Sequence, residues 1–373
     1  MPEMNRRGFL AAAGTVAAAT AASHRAAAQA PNDRINLGFI GVGGRGGVHL
    51  RTVLQIPGVA VRAVCDIKPD RLEAAQKTVT GAGQPAPAGT PEWKRLLEMK
   101  EVDAVVSALP CDLHAACYLD AIAAGKDLYG EKPMCITVKE CDDVVAAAKK
   151  AKSVVQIGFQ RRADPRFIET IQQVHAGEIG DPLEGRILWS NSWGPLYDWF
   201  GLRQRSGNWM VEQACHNWDV MIWANKCLPK RAMGMGRDDL FRQGQADRNV
   251  HDYYAAVVEM ENGAFVNIVH SWVAPQKFNE EFTRLTGSKG GIDFNSGTFS
   301  YRPDQKKADR VGHSFKGDID STRLAHEAFH KSIRSRQAPI AGVENGRDAV
   351  LACLIVREAV SSGKPVTMKE ITG

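Results

Sequence analysis

The chain has 373 residues, 44% of them hydrophobic and 24% charged, and a formal net charge of +5 at neutral pH. That is the composition of an ordinary globular enzyme with room for two domains. The charge is too small and too dispersed for a nucleic-acid partner, and beyond the leader no apolar run is long enough for a stable membrane span.

The first residues read as an address. Asn5-Arg6-Arg7-Gly8-Phe9-Leu10 has the form of a twin-arginine export signal, followed by an Ala-rich stretch from Ala11 to Ala22. That stretch is too short and too rich in Ala and Thr to anchor a span. Small residues then favour cleavage after Ala28, which makes residues 1–28 a signal peptide. Losing Arg6, Arg7, Arg25 and Glu3 with it leaves a charge of about +3. The expectations are passage through the twin-arginine translocase and a periplasmic or otherwise exported location. That route carries folded proteins, so a soluble cofactor can be loaded before export.

From Ile35 strand and helix patterns alternate. A short apolar strand, Ile35 to Ile40, runs into Gly41-Val42-Gly43-Gly44-Arg45-Gly46, then a helix through His49, Leu50 and Val53. A second strand, Val59 to Cys65, ends at Asp66. This is the G-x-G-x-x-G fingerprint in its proper setting. Gly41 permits the tight turn, Gly43 admits a pyrophosphate, and Gly46 lets helix and strand pack closely. The helix N-terminus, at Gly44 and Arg45, offers amide hydrogens to phosphates. Asp66 is placed to grip the ribose hydroxyls of NAD and to repel the extra phosphate of NADP, a preference that Lys68 and Arg71 weaken without reversing. Further strands at 103–107, 128–130 and 154–157 alternate with helices at 112–124 and 137–150, the latter opened by a Thr137/Glu140 capping box. The pattern predicts a Rossmann-type, doubly wound parallel sheet over residues 33–158. The eight cysteines are scattered without a C-x-x-C pair and read as packing residues.

Four motifs together resemble the Gfo/Idh/MocA oxidoreductase family, from about Ile35 onward. They are the glycine fingerprint, Leu109-Pro110 with His114, Ala124-Gly125-Lys126 leading to Glu131-Lys132-Pro133, and Gly158-Phe159-Gln160-Arg161-Arg162 before Pro165. The resemblance implies that Glu131 and Pro133 shape the nicotinamide site and that Lys132 reaches the substrate. It adds Pro110 and His114 to the cofactor-binding candidates and Arg162 to those on the substrate side. A lysine beside a cationic nicotinamide is expected to have a lowered pKa and to bind or exchange a proton with a reacting hydroxyl.

After Arg161 the pattern changes. A helix from Pro165 to Ala176 precedes strand-like runs at 183–193, 231–237, 252–260, 264–273, 281–287, 291–294 and 298–302, and helices at 321–334 and 345–362 close the chain. This predicts a mostly antiparallel open sheet in a substrate-binding and oligomerisation domain of α+β type, residues 159–373. Its sheet face favours a homo-oligomer. The run from Met210 to Ala224 reads as one helix carrying Glu212, His216 and Asp219 on a single face. The family pattern there is Asp-x-x-x-His-x-x-Asp, with the histidine facing the nicotinamide and the reacting carbon. Here the first acid is Glu212, which either orients His216 or touches substrate. His216 is the candidate general base. A Glu/His pair at this spacing can also bind a metal, but no further ligand-spaced cluster supports one, so no metal is expected. Trp193 and Tyr197, near Trp199, Arg203 and Arg205, are candidates for a sugar pocket or an oligomer contact.

The resemblance implies an NAD-dependent oxidation of a secondary hydroxyl of a sugar or glycoside, with Lys132, His216 and Glu212 as catalytic candidates and Asp219 on the substrate side. Free NAD is not expected outside the cytoplasm, so the cofactor should stay bound and be recycled in place. A second carbonyl compound could take the hydride back, or an external acceptor could regenerate NAD. Alternatively, transient oxidation could acidify a neighbouring C–H and drive glycoside elimination, as exported relatives do. A sugar- and nucleotide-sensing protein without turnover is the remaining alternative.

Overall fold

The computed structural model describes residues 34–192 and 194–373. The twin-arginine segment and Trp193 lie outside them. Residues Ile35–Gly373 form one compact unit built on two sheets.

The first sheet contains β1 (Ile35–Ile40), β2 (Val59–Cys65), β3 (Ala88–Thr90), β4 (Ala104–Ser107), β5 (Asp127–Gly130) and β6 (Val155–Ile157). All neighbours pair in parallel, in the order β3-β2-β1-β4-β5-β6. Strand order reverses between β1 and β4, so the crevice at their carboxyl ends is the place where such a sheet takes a ligand. The turns after β1, β2, β4 and β5 carry Gly41, Asp66, Leu109-Pro110 and Glu131-Lys132-Pro133 to that end. The sequence pattern located five of these strands. The edge strand β3 escaped it because its three residues are mostly exposed and carry no apolar alternation.

Helices α1 (Gly44–Val53) and α2 (Pro69–Gly81) cover one face of this sheet. Helices α3 (Trp93–Leu97), α4 (His114–Ala123) and α5 (Val138–Lys150) cover the other. The first face is finished from far along the chain. Helix α8 (Ser321–Ser335), numbered after α6 (Pro165–His175) and α7 (Cys215–Asn225), places Ala325 and Phe329 in one apolar cluster with Val106, Tyr129 and Val154. Gln156 on β6 donates to the Ala325 carbonyl at 2.9 Å.

The second sheet has nine strands among the described residues. They are β7 (Pro182–Ser190), β8 (Pro229–Arg237), β9 (Tyr253–Met260), β10 (Phe265–Ser271), β11 (Glu280–Gly287), β12 (Gly290–Asp293), β13 (Thr298–Tyr301), β14 (Arg310–Val311) and β15 (Val366–Thr367), in the order β14-β13-β12-β11-β7-β10-β9-β8-β15. Only β7 and β10 pair in parallel, so the sheet is mostly antiparallel, as expected. Along β9 and β10 buried and exposed residues alternate, so one face of the sheet packs inward. Helix α9 (Val343–Ser362) lies against both β8 and α5 and buries most of its length, joining the cores of the two sheets. All eight cysteines are free thiols, and all but half-buried Cys227 are buried, matching the packing role expected of them.

Ile355 is fully buried in the core that α9 shares with both sheets. Ile355→Ala is expected to cost about 2–5 kcal/mol. Urea unfolding followed by circular dichroism and by tryptophan fluorescence should shift by the same amount, because one helix serves both cores.

Candidate functional site

The glycine turn fits a dinucleotide. Gly41 has φ of +79°, and a Cβ on Gly46 would come within 1.9 Å of the Gly41 carbonyl oxygen. Both positions therefore require glycine. Gly43 precedes α1 with no side-chain cap, which leaves the first amide hydrogens of the helix directed at the crevice. At the end of β2 the Asp66 carboxylate accepts from the Val42 and Lys68 amides at 3.1 and 3.0 Å. The Arg71 guanidinium is 3.9 Å from that carboxylate and lies over Gly43. Asp66 thus stands beside the glycine turn with a cation at its shoulder, a donor set suited to a ribose and a pyrophosphate.

Glu131 anchors the next turn. Its side chain is buried, and Oε1 accepts from Arg45 Nε and lies against His49 Nε2, both at 2.7 Å; Oε2 accepts from the Lys132 amide at 3.0 Å. Burial pushes the carboxyl up, but Arg45 and His49 outweigh it and hold it well below the usual range. The Glu131 carbonyl accepts from Tyr118 at 2.6 Å, and Gly130 leaves room for that ring. The Lys132–Pro133 peptide is cis. His114 lies between the Pro133 and Leu109 carbonyls, at 2.7 and 2.9 Å, tying the turn after β5 to the turn carrying Pro110.

Lys132 points into the cleft between the sheets. Its Nζ donates to the Glu212 carboxylate at 2.7 Å and to the Glu212 carbonyl at 2.6 Å. Burial alone would lower the lysine pKa, but the Glu212 charge outweighs it and raises it. In this structure Lys132 is therefore a firmly held cation, the reverse of the lowered pKa expected beside nicotinamide. Glu212 bonds Lys132 and does not orient His216, because the predicted single helix is broken. Trp209–Glu212 forms one turn and α7 begins at Cys215. Between them the Ala214 amide reaches back five residues to Trp209 and the His216 amide only three, to Gln213. The wide turn followed by the tight one redirects Glu212 onto Lys132.

His216 is 8% exposed, with Nδ1 buried and unpartnered and Phe159 edge-on at 5.9 Å. Burial, then the positive charges of Lys132 and Arg161, drives its pKa well below the ordinary value. Lys132 and His216 thus share one electrostatic environment, the first charged and the second neutral. Asp219 and Arg162 pair with each other, with Arg162 Nε 2.8 Å from the carboxylate and its guanidinium over the Trp223 ring. Tyr197 packs against Gly244 in the β8–β9 connection and makes no hydrogen bond or ring contact with Lys132, Glu212, His216, Asp219 or Arg162.

A cavity of about 390 Å³ opens beside this cleft, lined by Gln160, Arg161, Asp164, Glu281, Asp320 and Thr322 among others. Arg161 pairs with Glu281, Asp164 pairs with Arg166, and Arg45 reaches Thr322 at 3.4 Å. Buried Gln160 Oε1 and Arg161 Nη1 carry no partner. His49, His326 and Thr322 also join this site, and none of them lies in a motif that marks the dinucleotide fingerprint or the catalytic candidates. His49 was within reach, since it follows Arg45 by one helical turn on the same face. His326 and Thr322 come from α8, and sequence spacing gave no sign that this helix docks on the first sheet.

Residues 35–159 match the family model described as "Oxidoreductase family, NAD-binding Rossmann fold", and residues 167–293 match the GFO/IDH/MocA C-terminal domain. Inositol 2-dehydrogenase of Salmonella typhimurium is 32% identical over 260 residues, 69% of this chain and 72% of that protein. A glycosyl hydrolase family 109 protein of Shewanella pealeana is 29% identical over 161 residues, 42% of this chain and 35% of that protein. The solved aldose–aldose oxidoreductase of Caulobacter crescentus has a TM-score of 0.74 at 19% identity, covering 90% of this chain and 99% of that one, a likeness of fold. The NAD cofactor and the oxidoreductase class expected from the sequence both agree with the first of these matches.

Two stability measurements probe the charges described above. His49, His114, His216, His270, His326 and His330 all have lowered pKa values, burial being the main cause, to about 3 for His270 and about 4 for His330. Below pH 6.5 the unfolded chain binds protons that the folded chain refuses. Stability is therefore expected to fall as pH drops from about 6.5 toward those values, by about 1.4 kcal/mol per pH unit for each such group. Urea midpoints at pH 7.5 and 5 check this. Lys132→Met would strand the Glu212 charge and is expected to cost about 3 kcal/mol, whereas Lys132→Met with Glu212→Leu should cost clearly less.

Proposed function

Because the chain belongs to the Gfo/Idh/MocA oxidoreductase family, we propose that it is an exported enzyme that oxidises a secondary hydroxyl of a sugar or glycoside and keeps its NAD bound. One observation carries this reading: a lysine held charged by Glu212 shares a site with a neutral, buried imidazole whose Nδ1 has no partner. When bound, NAD+ supplies a hydride acceptor for the carbinol carbon. The glycine turn and Asp66 hold the dinucleotide. Lys132 donates a hydrogen bond to the reacting oxygen as a cation, and His216 takes the hydroxyl proton. Glu212 keeps Lys132 charged, so the acceptor role falls to the imidazole. Arg162 and Asp219 brace α7 against the segment after Phe159, a supporting role in place of direct substrate contact.

The cavity beside the cleft suits a polyhydroxylated ligand. Its cations Arg161 and Arg166 are each matched by a carboxylate, which favours hydroxyl groups over a phosphate or a carboxylate. The inositol dehydrogenase relative supports this substrate class. Export rests on Asn5 to Leu10, and retention of the cofactor follows from the expected scarcity of free NAD outside the cytoplasm. The glycosyl hydrolase family 109 relative supports a second reading, glycoside cleavage through transient oxidation. A second copy of the chain is proposed to cover the exposed face of the second sheet. There Met233 stands opposite Val257 and Met235 opposite Ala255, with Val269 alongside.

Protein purified without added nucleotide and then denatured should release close to one NAD(H) per chain. Essentially none would overturn the bound-cofactor reading. Given a panel of sugars and glycosides, the wild type should reduce its nicotinamide, and His216→Ala should do so about 10²–10⁴-fold more slowly. An accumulating keto-sugar favours net oxidation, and a released leaving group without net oxidation favours glycoside cleavage. Continued ligand binding with no nicotinamide reduction by wild type would support the sensor alternative instead.

A further inference from the structure

Glu131 is the end of a buried hydrogen-bonded chain that leaves the first sheet altogether. His49 Nε2 meets Glu131 Oε1 at 2.7 Å, and His49 Nδ1 meets His326 Nε2 at 2.7 Å. His49 and His326 are both fully buried, and the Tyr129 ring stacks on His326 at 4.5 Å between centroids. Hydrogen positions follow by elimination. Burial lowers the pKa of both imidazoles and keeps them neutral; a carboxylate only accepts, so a neutral His49 donates from Nε2, its Nδ1 accepts, and His326 donates from its own Nε2. That assignment leaves His326 Nδ1 without a hydrogen, and this atom is buried and has no partner. The chain therefore has a single direction, from α8 through α1 to the carboxylate that also binds Arg45 of the glycine turn.

We infer that His326 is a positioning residue for the NAD site: through His49 it fixes the Glu131 carboxylate, which in turn holds the glycine turn and the Lys132 turn in register. Two features make this more than core packing. First, the same carboxylate oxygen serves both His49 and Arg45, so rotation of Glu131 would loosen the two turns together. Second, Arg45 also reaches Thr322, one turn before His326, so α8 touches α1 at two points, one of them the arginine of the glycine turn. Docking of α8 is thus coupled to the geometry of the cofactor crevice. The inference rests on the NAD-binding reading of that crevice.

The test is NAD+ affinity by calorimetry on the full chain stripped of nucleotide, at a temperature where circular dichroism shows each variant folded. His326→Leu removes the donor and is expected to weaken NAD+ about tenfold, the worth of one such buried hydrogen bond. His326→Gln can place an amide N–H near the lost Nε2–H and should recover most of that loss. In a Glu131→Gln background, His326→Leu should have little further effect, since the chain no longer ends on a carboxylate. Unchanged affinity in His326→Leu, equal losses in Leu and Gln variants, or full additivity with Glu131→Gln would each overturn the proposal. Nitrogen-15 NMR of histidine-labelled wild type checks it without any substitution: both rings should carry hydrogen on Nε2, and hydrogen on Nδ1 of either would overturn it. Failure of the wild type itself to bind NAD+ would instead count against the NAD-site reading.

Discussion

The constraint on which the site depends is a buried negative charge. A carboxylate taken out of water is tolerable only when its lone pairs are met, and Glu131 meets them with a guanidinium, an imidazole and a backbone amide. Those partners come from the helix after the glycine fingerprint and from the turn that Glu131 itself opens. Satisfying one charge therefore forces two separate turns of the sheet into a fixed relation. The surrounding anchors repeat the arrangement: Tyr118 holds the Glu131 carbonyl, and His114 ties Pro133 to Leu109. Precision at the crevice comes from polar groups that would be costly to leave unpaired.

A second division of labour lies across the cleft. Lys132 and His216 experience the same burial, which disfavours charge on both. Their neighbours decide the outcome. Glu212 gives the lysine a counter-charge, whereas the imidazole faces the positive charges of Lys132 and Arg161. The lysine is left as donor and the histidine as acceptor, and the charged lysine helps to keep the imidazole neutral. The pairing of Arg162 with Asp219 removes a further charge from competition.

Much of this was legible in the chain because the signals are local. The glycine turn, Asp66 after β2, the capping box at Thr137 and the alternation along β9 and β10 each reside in fewer than about ten consecutive residues. Helix periodicity failed at Glu212 for a physical reason. Spacing assumes one unbroken helix, and the break between Glu212 and Cys215 turns Glu212 onto Lys132, a residue 80 positions away that no local pattern links to it. The histidine chain was hidden in the same way. An amphipathic helix at 321–335 announces a buried face without saying which sheet receives it.

That sheet is the first one, and this bears on how the protein is made. Strands β4 to β6 are complete by Ile157, yet the face carrying Val106, Tyr129 and Val154 is only partly covered, by α1 and α2, until Ala325 and Phe329 arrive. A ribosome adding about 5–20 residues per second must work for roughly ten seconds or longer over that interval. For that time the nascent sheet shows apolar surface and lacks its final helix. The face of the first sheet and the crevice beside it are thus finished only near the end of synthesis.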